Sequence, residues 1–246
     1  MSVNNPIINA GLKYVSGLQI AKTAAKTLSM AAGAARNSTN INDIVLDAAV
    51  TCNGAAVGVN GVDLAALGAS SFYAVFLIGD STQFNDPASL LSLSSTAPSL
   101  PAGYDMFRRV GYVLTDGSSN ILQFWQYGNN NERTMYYDVA ISELSGGTSA
   151  TYAALDLATS VPPIDCLVIM NGSMVASADA DTASFLPYGS SATAGIVVIG
   201  AGQNDAAQAW QVTVPSKLSS SVPTIQYKMS ASASLTLGTI GYVDSL

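Results

Sequence analysis

Residues 94–128 read SSTAPSLPAGYDMFRRVGYVLTDGSSNILQFWQYG, and this stretch decides the fold class. Because proline fixes φ and cannot donate to a sheet, Pro98 and Pro101 predict an ordered extended loop at its start. Two runs rich in β-branched and aromatic residues follow, at 107–115 and 121–127, and the turn-forming residues DGSSN separate them. This pattern predicts an antiparallel hairpin.

Similar short apolar runs, separated by turn signals, recur along the rest of the chain. Residues 133–141 alternate with a period of two, and the unbroken apolar run at 72–78 predicts a strand covered on both faces. We therefore predict an all-β fold, a β-sandwich or jelly-roll-like antiparallel architecture with an extended N-terminal arm. The best internal joint is the Val-Pro-Pro sequence at 161–163. It separates a β-rich domain (41–160) from a second set of strands (161–246), which belongs to the same sandwich or to a second small domain. Residues 1–40 before them are predicted to form the arm and the first strand.

The secondary structure of residues 21–36, AKTAAKTLSMAAGAAR, is ambiguous from sequence. Alanine and lysine favour a helix, whereas Thr23, Thr27 and Gly33 oppose one. A strand at 27–31 is our prediction, with the helix as the alternative. Elsewhere the patterns predict a strand over 42–51, a helical turn at 62–69, an edge strand at 87–94 and either a strand or a helical turn at 152–157.

The quoted stretch also resembles a segment of the structural proteins of tailed-phage virions. The shared pattern is P-x-x-P-x-G-Y, then R-R-[IV]-G, then a D-G hairpin, carried here by 98–117. A second segment, AAGAARNSTNINDIVL at 31–46, resembles one found with it in those proteins. The resemblance implies a non-enzymatic, oligomeric subunit, expected to be a trimer, that decorates the capsid or forms a head fibre or tail part. Its partners would be further copies of itself and the major capsid or tail protein of the same virion.

The composition agrees with extensive contact between identical copies. Charged residues make up 10% of the 246 residues, compared with about 25% in average proteins. The net charge of −7 and the scattered basic residues argue against a nucleic-acid surface. Because no secretory signal or long apolar span is visible, we expect no membrane partner, and assembly into the virion in the host cytoplasm.

The N-terminal residues 1–20 combine one proline, two glycines and short apolar pairs. Contacts within this segment alone could not offset the conformational entropy that it loses on becoming ordered. We therefore predict an extended arm that lies on a neighbouring copy or on the capsid or tail protein to which the subunit attaches. Its candidate anchor residues are Ile7, Ile8, Leu12 and Tyr14.

An aromatic group lies on the predicted hairpin and the strand after it, at Phe124, Trp125, Tyr127, Tyr136 and Tyr137. Side chains alternate between the faces of a strand, so one set should fill the core and the other should lie outside. Trp125, Tyr127 and Tyr136 are the candidate exposed aromatics. An exposed set would dock a partner subunit or stack on sugars, and the second reading gives the alternative function, a receptor- or glycan-binding fibre tip.

Two short motifs imitate a serine hydrolase. The Gly-Asp-Ser sequence ending at Ser81 and the Gly-Gln-Asn-Asp sequence around Asn204 resemble, in order, two blocks of the SGNH/GDSL hydrolases. That resemblance implies Ser81 as nucleophile and Asn204 as an oxyanion ligand. The chain contains no histidine, and a serine hydroxyl needs an adjacent base. We therefore predict no enzyme and no catalytic residue, with both residues in turns.

Other ligand motifs are incomplete as well. The Gly-Ala-Gly sequence at 200–202 lacks the third glycine of a dinucleotide fingerprint, and Asp179 and Asp181 lack the remainder of a calcium loop. Cys52 and Cys166 have no metal-type spacing, so we predict two buried thiols, with a disulfide left open. No cofactor and no metal is expected.

Overall fold

The computed structural model describes residues 13–128, 130–176, 181–200, 207–230 and 233–246. Within these residues the fold is all-β, as predicted: 58% is strand and no helix is present. The chain divides into two compact units. The first contains the residues up to Ile121 with Gly128–Arg133 and Leu246, and the second contains Leu122–Tyr127 and Thr134–Ser245. The division therefore falls at Ile121, whereas the Val-Pro-Pro joint proposed from sequence lies inside the second unit.

The first unit contains three small sheets. Its strands are β1 (Val15–Gly17), β2 (Ile20–Ala24), β3 (Thr27–Met30), β4 (Gly33–Arg36), β5 (Asp43–Leu46), β6 (Val50–Asn53), β7 (Gly61–Val62), β8 (Phe72–Gly79), β9 (Ala88–Ser92) and β10 (Met106–Leu114). The sheet orders are β1-β4-β5, β2-β3-β6 and β10-β8-β9-β7. All pairings are antiparallel except β7 with β9. Strand β8 is buried along nearly its whole length, as its apolar run predicted.

The second unit is built on one curled, nine-stranded sheet. Its strands are β11 (Phe124–Tyr127), β12 (Glu132–Gly147), β13 (Ala153–Asp156), β14 (Cys166–Val175), β15 (Thr182–Pro187), β16 (Val197–Gly200), β17 (Ala207–Ser219), β18 (Val222–Met229) and β19 (Ser234–Ser245). The order is β11-β12-β19-β14-β17-β18-β15-β16, and β13 pairs with β18. The inner face of the curl holds the core, in which Met170, Phe185, Val214 and Leu237 are all buried.

The hairpin prediction was wrong beyond its turn. The Asp116 carboxylate accepts hydrogen bonds from the backbone N–H groups of Ser118 and Asn120, each at 2.8 Å, and one bridge joins Thr115 to Ile121. Beyond that bridge the two predicted strands separate. Strand β10 pairs with β8, and β11 pairs with β12. The apolar runs identified strands, but better-matched partners lay elsewhere in the chain.

Several local predictions are settled by burial and pairing. Residues 21–36 form parts of β2, β3 and β4, so the helix alternative was wrong. Alternate side chains such as Leu28 and Met30 are buried, as in a strand. This burial outweighs the helix propensity of alanine. The helical turn at 62–69 was also wrong. The strand predicted over 42–51 is two strands, β5 and β6, and 152–157 contains β13. Strand β9 lies between β8 and β7 with all five residues buried, so it is not an edge strand.

The described part of the predicted N-terminal arm belongs to the first unit itself. Strand β1 pairs with β4, and Val15, Leu18 and Ile20 are each at most 2% exposed. The side-chain oxygen of Asn131 accepts the backbone N–H of Val15 at 2.6 Å and so holds this strand. These three residues therefore belong to the core of their own unit. Three candidate anchors lie outside the described residues: Ile7, Ile8 and Leu12.

Candidate functional site

The Gly-Asp-Ser motif forms a rigid loop after β8, residues 80–87, which we call the Asp80 loop. The Asp80 carboxylate accepts hydrogen bonds from the backbone N–H and hydroxyl of Thr82, at 2.8 and 2.6 Å. It also accepts the backbone N–H and side-chain amide of Asn85, at 3.1 and 2.9 Å. These donors, the Thr82 hydroxyl first, lower the pKa of Asp80 to about 2. Asp80 is thus the internal anchor of its loop.

The segment 103–105, inside the phage-like stretch, clamps the other side of the Asp80 loop. Ser81 donates to the Asp105 carboxylate through its backbone N–H, at 2.8 Å, and through its hydroxyl. The Asn85 side-chain amide donates to the Gly103 carbonyl at 3.1 Å. The hydroxyl of the residue between them, Tyr104, donates to the carbonyl of Asp86 at 2.9 Å. The Gly-Tyr-Asp part of the motif therefore has a structural task that its sequence did not reveal.

These contacts explain Ser81 without catalysis. Its hydroxyl is committed to Asp105, and the imidazole that would activate a serine is missing from the composition. The second hydrolase-like motif, with Asn204, lies outside the described residues, as does the part of the dinucleotide-like glycine sequence that follows Gly200. Ser81 therefore connects the Asp80 loop to Asp105 by hydrogen bonds.

The aromatic residues of β11 and β12 divide between two faces, as strand alternation requires. Phe124 is 4% exposed, and the hydroxyl of Tyr137, opposite it, donates to the carbonyl of Ser160 at 2.6 Å. On the other face, Trp125 is 45% exposed and Tyr127 is 58% exposed.

Half-buried Tyr136 lies on that outer face, directly opposite Trp125, and its ring meets the Tyr127 ring edge to face, with centroids 5.9 Å apart. We call Trp125, Tyr127 and Tyr136 the aromatic cluster.

Past the aromatic cluster, the outer face carries one carboxylate, Asp138, and then small, uncharged side chains. Along β12 the same face carries Asp138, Ala140 and Ser142. Next to the last two lies a shallow depression of about 370 Å³ that crosses four adjacent strands. Its other lining residues include Asn171, Ser173, Thr236 and Gly238. Among the depression's lining residues there is no charged side chain, in keeping with the low charge of the whole sequence.

Behind this face lies a partly buried polar cluster that the sequence did not predict. Thr159 and Thr239 donate to the Glu143 carboxylate at 3.2–3.4 Å, and Ser160 donates to the Thr239 hydroxyl at 2.9 Å. Burial raises the pKa of Glu143, and the hydroxyl donors oppose that shift. The three segments lie far apart in sequence, so no local signal could have found the cluster.

The remaining candidate anchor, Tyr14, packs within its own unit. Its ring lies 5.8 Å from the Arg36 guanidinium, which pairs with Asp43 at 2.8 Å. Burial, together with a hydrogen bond to Asp43, raises the pKa of Tyr14.

The structure offers little for a metal or a redox reaction. In the described part of the chain, no three His, Cys, Asp or Glu side chains are grouped so that they could hold an ion. Asp181 accepts a hydrogen bond from Ser230 at 2.8 Å, while Asp179 lies outside the described residues. Both cysteines are free thiols, so the disulfide alternative was wrong; Cys52 is buried as predicted, whereas Cys166 is only partly buried. Burial raises the pKa of Cys52 to about 11 and that of Cys166 to about 12.

No helix capable of spanning a membrane occurs in the described residues. No family model, curated protein or solved structure matches the chain. The fold and its surfaces define the class as an all-β protein with two sheet-built units and an aromatic, low-charge outer face.

Proposed function

We propose that this protein is a non-enzymatic structural subunit of a tailed-phage virion, which assembles as a homo-oligomer and decorates the capsid or forms a head fibre or tail part. The observation that carries the proposal is the outer face of the curled sheet, where the aromatic cluster is followed by a single carboxylate, Asp138, and then by a depression lined without charged side chains. Buried interface cores are enriched in aromatic residues and depleted in charged ones. Two or three copies, each with a net charge of −7, would associate most easily through such a face.

The virion part of the proposal rests on the resemblance carried by 98–117. The structure gives that motif a physical task, because 103–105 clamp the Asp80 loop and the D-G turn ends the first unit. A motif that stabilises a fold can recur among proteins that share an architecture and differ in chemistry. Neither unit needs a catalytic base for this role.

The experiment combines oligomer mass with location. Light scattering at micromolar concentration should give a mass of several chains, with a trimer expected. Replacing Trp125 and Tyr127 by alanine should reduce that mass, whereas the matched substitution of exposed Phe84 in the first unit should not. Gold-labelled antibody should bind intact phage particles at regular positions. A wild-type monomer would refute the oligomer, and particles without the protein would refute the virion role.

The aromatic cluster also supports a second candidate function, binding of a glycan receptor. Exposed aromatic rings offer flat apolar faces to sugar rings, and the carboxylate of Asp138, on the same face, would accept hydrogen bonds from sugar hydroxyls. This function requires Trp125 to stay exposed in the assembled protein. Titration of intrinsic tryptophan fluorescence with host surface polysaccharide tests it. Binding that is lost in Trp125→Ala at unchanged oligomer mass would favour the glycan over the subunit contact.

A further inference from the structure

The first unit contains a groove of about 450 Å³ beside β5, which we call the β5 groove. One wall consists of successive residues of β5 and its flanks, from Asn42 to Val45 and Asp47, and the opposite wall is the Asp80 loop. Side chains of successive strand residues point to opposite faces, so a wall that includes all of them follows the edge of the strand. Met106 contributes an apolar side chain between the two walls.

That edge of β5 has no partner among the described strands. Strand β4 occupies the other edge, with Ala35 opposite Ile44, and β5 is the last strand in the order β1-β4-β5. In an antiparallel pair alternate backbone groups point away from the partner. Unpaired N–H and C=O groups of an edge strand are a template for a further strand. Such groups of β5 face the groove.

Both walls are held in place without any ligand. On the β5 side, the Asn37 side-chain oxygen accepts the N–H groups of Ile41 and Asn42 at 3.0 and 3.3 Å, and Ser38 donates to the carbonyl of Phe107 at 2.8 Å. On the other side, the contacts of Asp80 and of residues 103–105 hold the loop. A groove with fixed walls loses little conformational entropy when a ligand enters.

The charges and apolar groups of the groove define the chemistry of its occupant. Asp43 is paired with Arg36 and Asp80 is saturated by its own loop, but Asp47 and Asp86 are exposed carboxylates without an ion-pair partner among the described residues. The apolar surface comes from the side chains of buried Ile44, exposed Val45 and buried Met106. An acidic rim over apolar surface suits a segment that carries both basic and apolar side chains.

We propose that the β5 groove binds an extended segment of a partner protein in which lysine or arginine alternates with apolar residues, and that this segment adds to the free edge of β5 as a further strand. Strand addition provides backbone hydrogen bonds, and alternate side chains provide specificity. Apolar side chains contact Ile44 and Met106, while basic ones pair with Asp47 and Asp86. The proposal does not rest on the virion assignment, since it uses a different unit and a different surface.

The test uses a fluorescein-labelled peptide of alternating lysine and valine with the full-length protein, read by fluorescence anisotropy. We expect saturable binding that weakens at least tenfold in Asp47→Lys and in Asp86→Lys. Asp156→Lys, at an exposed position of the second unit outside the groove, makes the same change in net charge and should leave the affinity within twofold of wild type. A glutamate–valine peptide should not bind.

A third peptide tests the strand itself. Methylating the backbone nitrogens of alternate residues on one edge removes donors while leaving every charge in place. One of the two possible N-methylated forms should lose binding, because one edge of the added strand faces β5. Equal binding of both forms would show a purely electrostatic contact and overturn the proposal. The proposal would also be overturned if the lysine–valine peptide did not bind. If, in that case, Asp47→Lys also lowered the oligomer mass, the groove would be occupied by a second copy of this chain instead.

Discussion

Gly103→Ala is the sharpest test of the clamp between the phage-like motif and the Asp80 loop. Gly103 has φ +85°, a conformation that costs a residue with a side chain about 1–2 kcal/mol. The new Cβ would also lie 2.6 Å from the side-chain nitrogen of Asn85. Moving that amide away breaks its bonds to Asp80 and to the Gly103 carbonyl, each worth about 0.5–1.5 kcal/mol.

Together these effects should lower the free energy of unfolding of the first unit by about 2–4 kcal/mol, after the smaller unfolded-state entropy of alanine returns about 0.4–1 kcal/mol. For a protein of this size that corresponds to a fall in Tm of about 4–16 °C. The matched control is Gly117→Ala, since Gly117 has no positive φ and a Cβ there meets no atom within 4 Å. Differential scanning calorimetry compares the two variants. Equal Tm values would refute the clamp.

Three further predictions concern the second unit and the thiols. Tyr137→Phe should lower the free energy of unfolding by about 1–2 kcal/mol, because the Ser160 carbonyl loses its hydrogen-bond donor. The control Tyr127→Phe, on the exposed face, should change the free energy of unfolding by less than about 0.5 kcal/mol. Urea titrations that show equal losses for the two variants would contradict this prediction. Burial raises the folded-state pKa of Glu143, so its contribution to stability is present in acid and is lost as pH rises from about 4 through the raised pKa. The urea midpoint of the wild-type protein should therefore fall as pH rises over that range, and Glu143→Gln should make this fall smaller. Asp80, with its pKa of about 2, stays ionised over the same range and does not contribute to it. The same pH dependence in both proteins would show that Glu143 is not its cause. Finally, pKa values raised to about 11 and 12 should leave the thiols of Cys52 and Cys166 unreactive towards iodoacetamide at pH 8 until the protein unfolds. Mass spectrometry that detects labelling of either thiol in the folded protein would contradict this prediction.

The sequence alone determined several of the strands and which of their faces are buried. The period of two along 133–141 and the unbroken apolar run at 72–78 both gave strands, β12 and β8. Alternation also separated Phe124 and Tyr137 from the aromatic cluster. The turn at Asp116 was predicted from its residues, because its hydrogen bonds join groups within four positions of one another. These features depend on neighbours in the chain.

Tertiary structure alone decided which strands pair and which polar groups meet. Strand β10 pairs with β8 and β11 pairs with β12, because the pairing energy depends on how side chains of the two strands pack, whatever their separation in sequence. Within the alanine-rich segment 21–36, residues 27–30 became β3 for the same reason: their pairing with β6 outweighed a helix propensity of a few tenths of a kcal/mol per residue. The bond between Ser81 and Asp105 spans 24 positions, and the Glu143 cluster joins residues up to 96 apart. A sequence pattern shows which face of a strand is buried, but only the folded chain determines what lies against it.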